Sequence, residues 1–335
     1  MVTQHMATQQ QAPYQQLTPE LILAAIESAE LEPSGGLLAL NSYENRVYQI
    51  ELSEGGFIIA KFYRPERWTD DAILEEHQFA FELEAQDIPI IPPIIKDGRS
   101  LFEHGGYRFS LYPRRGGRWP ELSDPSILEQ LGRLIGRIHA IGRTSRFEHR
   151  QTINVANYGQ VSLDYILEND FVPPESKHNF TLAAQTLLDQ AQNMIEAVQP
   201  FTLRIHGDFH PGNILSTGEQ FHFVDLDDCV MGPAMQDLWM LLSGEQHEMA
   251  TQFNHVLEGY EMFCEFDRSE LAIIEALRAL RLVYYCGWLA RRWDDPAFPQ
   301  NFPWFNTPRY WEEQMITFRE QLERCQMPVL DLGGL

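Results

Sequence analysis

Residues 204–215, "RIHGDFHPGNIL", set an aspartate and an asparagine five positions apart, Asp208 and Asn213. An aspartate in such a loop can orient an acceptor hydroxyl and take its proton, and a neutral amide oxygen close behind it can ligate a hard divalent cation such as Mg2+. The spacing H-x-D-x-x-x-x-N is that of a phosphoryl-transfer loop. Eight residues after Asn213, "FHFVDLDD" (221–228) begins a short strand that ends in three carboxylates, the first of them twelve residues after Asn213. Asp225 stands where a second metal-binding carboxylate is needed beside nucleotide phosphates. Asp227 and Asp228 read as solvated turn residues rather than ligands, Asp227 being the better placed to support the metal site.

Two other readings of the first loop compete. His206 and His210 are four apart, the spacing of two zinc ligands on one helical face. Gly207, Pro211 and Gly212 interrupt any helix there, and the glutamate of H-E-x-x-H is missing. The remaining alternative is a structural loop with a buried His–Asp hydrogen bond.

Phosphoryl transfer also needs a cation on the phosphates. The chain has three lysines, Lys61, Lys96 and Lys177, and Lys61 alone sits in an apolar strand, "FIIAKFY". A buried ammonium requires a partner. A helix expected over 70–86 offers Glu75 and Glu76, of which Glu76 is favoured. Otherwise both glutamates face solvent and Lys61 reaches out along a strand edge.

The elements that must position these groups follow from pattern. Thr18-Pro19-Glu20 is a helix start, and apolar residues continue it through Leu31. "RVYQIEL" (46–52) and "GFIIAKFY" (56–63), separated by "SEGG", read as an antiparallel hairpin. Two further strands are expected in "IIKDGRSLFEH" and "YRFSLYP". From "RRGGRW" (114–119) onward the period turns helical, over 126–141, 180–198, 234–247, 251–264, 269–293 and 310–325, with a strand-and-loop insert at 201–226. The expected class is α+β. A flexible N-terminal tail (1–16) precedes a small antiparallel-sheet N-lobe (17–113), a large mainly helical C-lobe (114–325) and a C-terminal tail (326–335).

Bulk properties narrow the partners. A formal net charge of -23 over 335 residues argues against nucleic acid. The apolar run "IPIIPPII" (88–95) is too short to span a bilayer, so no membrane association is expected. The N-terminus lacks the apolar core of a signal peptide, and the cysteines at 229, 264, 286 and 325 fit neither a redox nor a zinc pair, so a reducing cytoplasm is the expected location.

Taken together, "HGDFHPGNIL", "FVDLDD" and "GPAMQDLWMLL" resemble the aminoglycoside phosphotransferase and choline kinase group of the protein-kinase-like fold. Within it, "LNSYENRVYQ", "KFYRPERW", "LEEHQFA" and "RLVYYCGWLARRWDDPAFPQNFPW" are similar to a bacterial stress-response branch, over residues 17–325. The resemblance implies a two-lobed kinase-like fold with ATP as co-substrate and Mg2+ as cofactor. Asp208 would be the catalytic base, Asn213 and Asp225 the metal ligands, and Lys61 the phosphate-pairing lysine held by Glu76. Ser42 would lie in the loop over the ATP phosphates, shaped by Asn45. Leu111, Tyr112 and Pro113 would form the hinge whose backbone meets the adenine edge.

That phosphate loop departs from G-x-G-x-x-G, so small polar side chains replace some glycine amides. Gly207 replaces the arginine of H-R-D, and Leu226-Asp227 replaces Phe-Gly of D-F-G, so no activation-loop switch governed by that arginine is expected. His206 reads as a brace of the catalytic loop, His210 as loop architecture or a direct participant, Asp237 as a brace of the following helix, and His139 as a core histidine. The implied activity is that of a monomeric serine/threonine protein kinase. The alternative is a kinase of small hydroxyl compounds, and the shared fold serves both. A catalytically silent binding module is disfavoured by the intact Lys61, Asp208, Asn213 and Asp225.

Overall fold

The computed structural model describes residues 13–218 and 220–333. In chain order they form α1 (Pro19–Ser28), β1 (Pro33–Leu40), β2 (Arg46–Leu52), β3 (Phe57–Phe62), α2 (Asp70–Glu84), β4 (Phe102–His104), β5 (Tyr107–Pro113), α3 (Pro125–Gly142), α4 (Val161–Glu168), α5 (Pro174–Val198), β6 (Leu203–Ile205), β7 (Ile214–Ser216), β8 (Phe221–Phe223), β9 (Val230–Gly232), α6 (Met235–Trp239), α7 (Gln246–Tyr260), α8 (Ile274–Arg291), α9 (Ala297–Asn301) and α10 (Pro308–Arg324), with short π- and 3-10-helical turns between some of them. Contacts divide the chain into two units. One takes residues up to Trp68, Ile94–Arg114 and Arg292–Pro303, and the other takes Thr69–Pro93, Arg115–Arg291 and Trp304 onward.

The first unit is an antiparallel sheet in the order β1-β2-β3-β5-β4. Alternation along β3 turns Ile58, Ala60 and Phe62 into the core and sends Lys61 to the other face. The core side is closed by α1, whose Ile22, Ala25, Ile26 and Ala29 recur at helical spacing and pack with Ile50, Phe62, Phe109 and Leu111. Each large side chain buried there contributes about 1.5–3 kcal/mol. Thr18 caps α1 by accepting from the Leu21 N–H, as its place before Pro19 predicts. Residues 1–12 of the expected tail lie outside the described residues, but Tyr14 stacks on Tyr107 at 6.2 Å, so the end of that tail belongs to the sheet.

The second unit is helical, and its main packing joins α3 to α7. At Gly136 an added Cβ would press on the Tyr260 carbonyl oxygen at 2.5 Å, so glycine lets the two helices touch. The expected C-terminal tail is tied to α7, by Gln246 donating to the Pro328 carbonyl (3.1 Å) and Asn254 to the Leu332 carbonyl (3.1 Å).

A single boundary at residue 113 does not describe this division. Helix α2 groups with the helical unit because Phe79 packs edge-on against Phe147 at 5.5 Å, and Arg204 lies over the same ring at 4.7 Å. Residues 292–303 group with the sheet because Asp295 receives Arg46 and Arg64. The continuous helix expected over 234–247 stops at Trp239 and restarts at Gln246, where Glu245 and Glu248 form a capping box. Strand β1 was not anticipated, and the helix expected from residue 269 begins with a 3-10 segment, Arg268–Ile273. Among the described residues, no helix is long and apolar enough to cross a membrane.

Candidate active site

Two small ladders in the helical unit carry the acidic loops. β6 pairs with β9, Ile205 opposite Val230, and β7 pairs with β8, Ile214 opposite Phe223. The loop after β6 holds Asp208 and Asn213, and the loop after β8 holds Asp225. Two hydrogen bonds stitch the loops together, with the Val224 N–H donating to the Asn213 carbonyl (3.1 Å) and His206 Nε2 donating to the Val224 carbonyl (3.0 Å). Asn213 and Asp225 thus flank a single backbone hydrogen bond. Gly207 has φ +84°, and a Cβ there would strike the Asp228 carbonyl, so the first loop passes the second at backbone contact distance.

Asn213 donates its Nδ2 to the Asp208 carbonyl at 2.9 Å, which fixes the amide and assigns its Oδ1 as the atom able to take a cation. Asp225 is exposed and sits in the left-handed region at φ 62°, an unfavourable conformation for a non-glycine residue, of the kind that clusters at functional sites. One amide oxygen and one carboxylate are hard donors suited to Mg2+ or Ca2+, which fill their remaining positions with phosphate oxygens and water. Among the described residues, no group of three or more His, Cys, Asp or Glu is arranged to hold a metal by itself. The two histidines of the first loop have separate duties. His206 is buried against Phe209 at 5.2 Å, whereas His210 accepts from the Gly212 N–H through Nδ1 and approaches Asp208 through Nε2 at 3.4 Å.

Asp208 Oδ1 is also 2.8 Å from Arg281 Nη1, on α8. Burial raises the Asp208 pKa, but the hydrogen bond from His210 and the charge of Arg281 outweigh it and hold the carboxyl well below the usual carboxylate range. Asp208 is therefore an anion at neutral pH. It is a weak base, which suits a loose transition state in which orienting the hydroxyl matters more than early proton removal.

The first loop hangs from one buried carboxylate. Asp237, wholly buried at the start of α6, accepts from the His206 N–H (2.9 Å) and the Gly207 N–H (2.8 Å). His139 Nε2 meets it at 3.1 Å, and His139 Nδ1 lies 3.0 Å from the Tyr260 hydroxyl. Gln236 adds a bond from Nε2 to the Gly207 carbonyl (3.0 Å). Asp237 thus braces the catalytic loop as well as belonging to its helix, and His139 is the core histidine expected.

The second loop is tied to α2 by Arg150. Its guanidinium reaches the carbonyls of Ala72 (2.8 Å) and Asp227 (2.6 Å), and Nη2 pairs with Glu76 Oε2 at 3.0 Å. Glu76 is the inward-facing glutamate of α2. Glu75 instead accepts from the Glu148 and His149 N–H groups at 2.7 and 2.9 Å. Asp227 is buried, not solvated. Cys229, close behind, is pushed up to about 12 by burial and is no nucleophile.

In the sheet unit, Lys61 lies opposite Val47 on β2 and Ser110 on β5, 6% exposed, with its ammonium 5.2 Å from the centre of the Tyr63 ring. The loop 41–45 joins β1 to β2 one residue before that pair. Asn45 is buried and accepts the Arg64 N–H through Oδ1 (3.1 Å), so it shapes the loop, whereas Ser42 is half-buried. Arg64 further donates to the Glu44 carbonyl (3.0 Å) and to Asp295 (2.9 Å), Arg46 takes Asp295 at 3.0 Å, and Arg292 takes Glu44 at 2.5 Å. The charges of Arg67, Arg292 and Arg64 overcome burial and lower the Glu44 pKa. Of the hinge residues, Leu111 is fully buried and its carbonyl already accepts the Ile94 N–H (2.6 Å). The Tyr112 hydroxyl meets that of Tyr63 at 3.2 Å, and Pro113 has no N–H to offer.

Arg150, Tyr260 and Arg281 escaped the sequence reading. Arg150 and Arg281 act through side chains that reach loops dozens of residues away, and Tyr260 through His139 on α3, and no local spacing signals that.

Known proteins resemble this chain in sequence and in fold. Residues 37–274 match the phosphotransferase enzyme family, APH. The chain is 44% identical over 320 residues to "Stress response kinase A" of Escherichia coli strain K12, covering 95% of this chain and 97% of that one. It is 44% identical over 319 residues to "Serine/threonine protein kinase RdoA" of Salmonella typhimurium strain LT2, with the same coverage, 95% and 97%. Among solved structures, amicoumacin kinase hAmiN in complex with AMP-PNP, Ca2+ and Ami superposes with a TM-score of 0.70 at 18% identity, over 94% of this chain and 95% of that chain. That likeness shows the two-lobed kinase-like fold.

Proposed function

The chain belongs to the phosphotransferase enzyme family and is a kinase, and from that premise we propose that it transfers the γ-phosphoryl group of ATP to serine or threonine hydroxyls of proteins. The observation that carries the reading is the stitching of Asn213 to Val224, which sets an amide oxygen, a carboxylate and Asp208 on two adjoining loops. The protein acceptor is supported by the name of the Salmonella relative, at 44% identity over nearly its full length.

Asp208 accepts a hydrogen bond from the acceptor hydroxyl, aligns its oxygen with the γ-phosphorus and receives the proton as the new oxygen–phosphorus bond forms, while the bond from the γ-phosphorus to the β–γ bridging oxygen breaks and ADP leaves. Asn213 Oδ1 and the Asp225 carboxylate would hold a divalent ion, Mg2+, which would supply positive charge for the phosphate oxygens. Lys61 carries the cation of the sheet unit and orients the phosphates. The 41–45 loop, including Ser42 and Asn45, covers the phosphates, and the backbone around Tyr112 and Pro113 receives the adenine edge. The protein acts as a monomer in the cytoplasm.

The test offers purified protein labelled ATP and Mg2+ with parallel panels of proteins and small alcohols. Label enters proteins, and Asp208→Ala lowers transfer about 10²–10⁴-fold while ATP still binds. Unchanged turnover in that variant refutes the assignment of Asp208, and label confined to small alcohols refutes the protein acceptor.

A further inference from the structure

We propose that Arg281 selects the acceptor, favouring hydroxyls flanked by negative charge over those flanked by amines. The inference rests on the kinase reading above and adds its substrate class.

Arg281 Nη1 stands 2.8 Å from Asp208 Oδ1, on the carboxylate proposed to receive the acceptor hydroxyl. Any hydroxyl that reaches Asp208 must therefore approach within a few ångströms of a guanidinium. The Arg281 side chain is 43% exposed, so its guanidinium can turn from Asp208 toward an arriving anion, leaving the carboxylate to His210 and the acceptor hydroxyl. An ammonium at the same place meets a fixed positive charge, whereas a carboxylate gains a partner with five donors.

The surroundings favour a chain-like acceptor over a compact cation. Arg281, Tyr284, Tyr285 and Trp288 recur at i, i+3, i+4 and i+7 along α8 and share one face. Tyr285 is 41% exposed and stacks on Trp288 at 5.6 Å, and Tyr284 stacks on Tyr158 at 4.7 Å. A second guanidinium, Arg278, lies 5.3 Å from the Trp239 ring, and Trp239 Nε1 donates to Gln236, which itself holds the Gly207 carbonyl. Glu275 balances Arg278 at 2.8 Å, so Arg281 is the cation with charge to offer once it leaves Asp208. In a chain of net charge -23, a guanidinium on the reacting carboxylate runs against the general field and marks the place chemically. The acceptor that fits is a serine or threonine with aspartate or glutamate beside it.

The experiment compares kcat/KM for two peptides that share one serine, flanked by glutamates or by lysines, in the wild-type protein, Arg281→Glu and Arg281→Lys. A hydroxy acid and an amino alcohol of equal length form a parallel pair. The wild type favours the acidic peptide about tenfold, Arg281→Glu reverses the ratio, and Arg281→Lys retains the wild-type direction. If Arg281 only steadies Asp208, both peptides lose rate equally, and a ratio indifferent to residue 281 overturns the inference. A wild-type preference for the lysine-flanked peptide overturns it as well. Absence of Asp208-dependent transfer to every acceptor overturns the kinase reading itself, and the inference with it.

Discussion

The loop 41–45 of the sheet unit and the loop 206–213 of the helical unit are held by opposite means. The first sits in a knot of guanidinium groups, with Arg46 and Arg64 on Asp295 and Arg64, Arg67 and Arg292 around Glu44. The second hangs from Asp237, which takes two backbone N–H groups and an imidazole with no exposed surface. Redundancy separates them. Every carboxylate in the knot has at least two arginines, so one loss is shared among the others. Asp237 has no substitute, and its removal strands two buried N–H donors that water cannot reach.

The sharpest way to break this contrast is Asp237→Ala. It should cost about 3–5 kcal/mol in chemical denaturation, because buried partners are left without an acceptor. A cost under about 1 kcal/mol would mean the loop is held elsewhere.

The next largest effect concerns Glu270, which is buried and accepts the Met235 N–H at 2.8 Å, just ahead of Asp237. Burial pushes its pKa up to about 7 from an ordinary 4.5. The folded state thus binds the proton more tightly than the unfolded chain does. Its contribution is full below about pH 4.5 and is lost as pH rises through about 7. Glu270→Gln should remove that slope and gain about 2 kcal/mol at pH 8, measured by denaturation at several pH values. A variant that keeps the wild-type slope over this window would contradict the assignment.

In the knot, Arg64→Lys should cost about 1–2 kcal/mol, since lysine cannot serve the Glu44 carbonyl, the Tyr43 carbonyl and Asp295 together. Raising the KM for ATP is the functional readout. Arg46→Lys should cost less, about 0.5 kcal/mol, and its cost should shrink with added salt, as that of Asp237→Ala should not. Equal salt dependence in both loops would erase the distinction.

The same contrast explains what could be read from the chain. Asp208, Asn213 and Asp225 announce themselves through short spacings, and Lys61 through its isolation among apolar neighbours in β3. Asp237 was visible as a brace, but its support is not, because His139 and the Tyr260 behind it come from two helices that meet through Gly132, Gly136 and Gly259, far apart in the chain. The knot was opaque: Asp295 stands 249 residues from Arg46, and although both lie in stretches that carry the resemblance, nothing local pairs them. β1 stayed hidden because "PSGGLLAL" opens with proline and glycines and exposes much of its length, which erases strand alternation. The break between α6 and α7 was legible in "SGEQHE", where glycine precedes a capping box, yet the apolar run before it masked the signal.

The scarcity of lysine gives the chain a built-in reporter. Lys96 and Lys177 are partly open, one in each unit, whereas Lys61 is enclosed in β3. An amine-acylating reagent applied to the native protein will mark the two open side chains quickly and the enclosed Lys61 slowly. Added ATP should slow that third side-chain mark further and leave the other two unchanged, so the lag reads occupancy at Lys61 with no probe introduced.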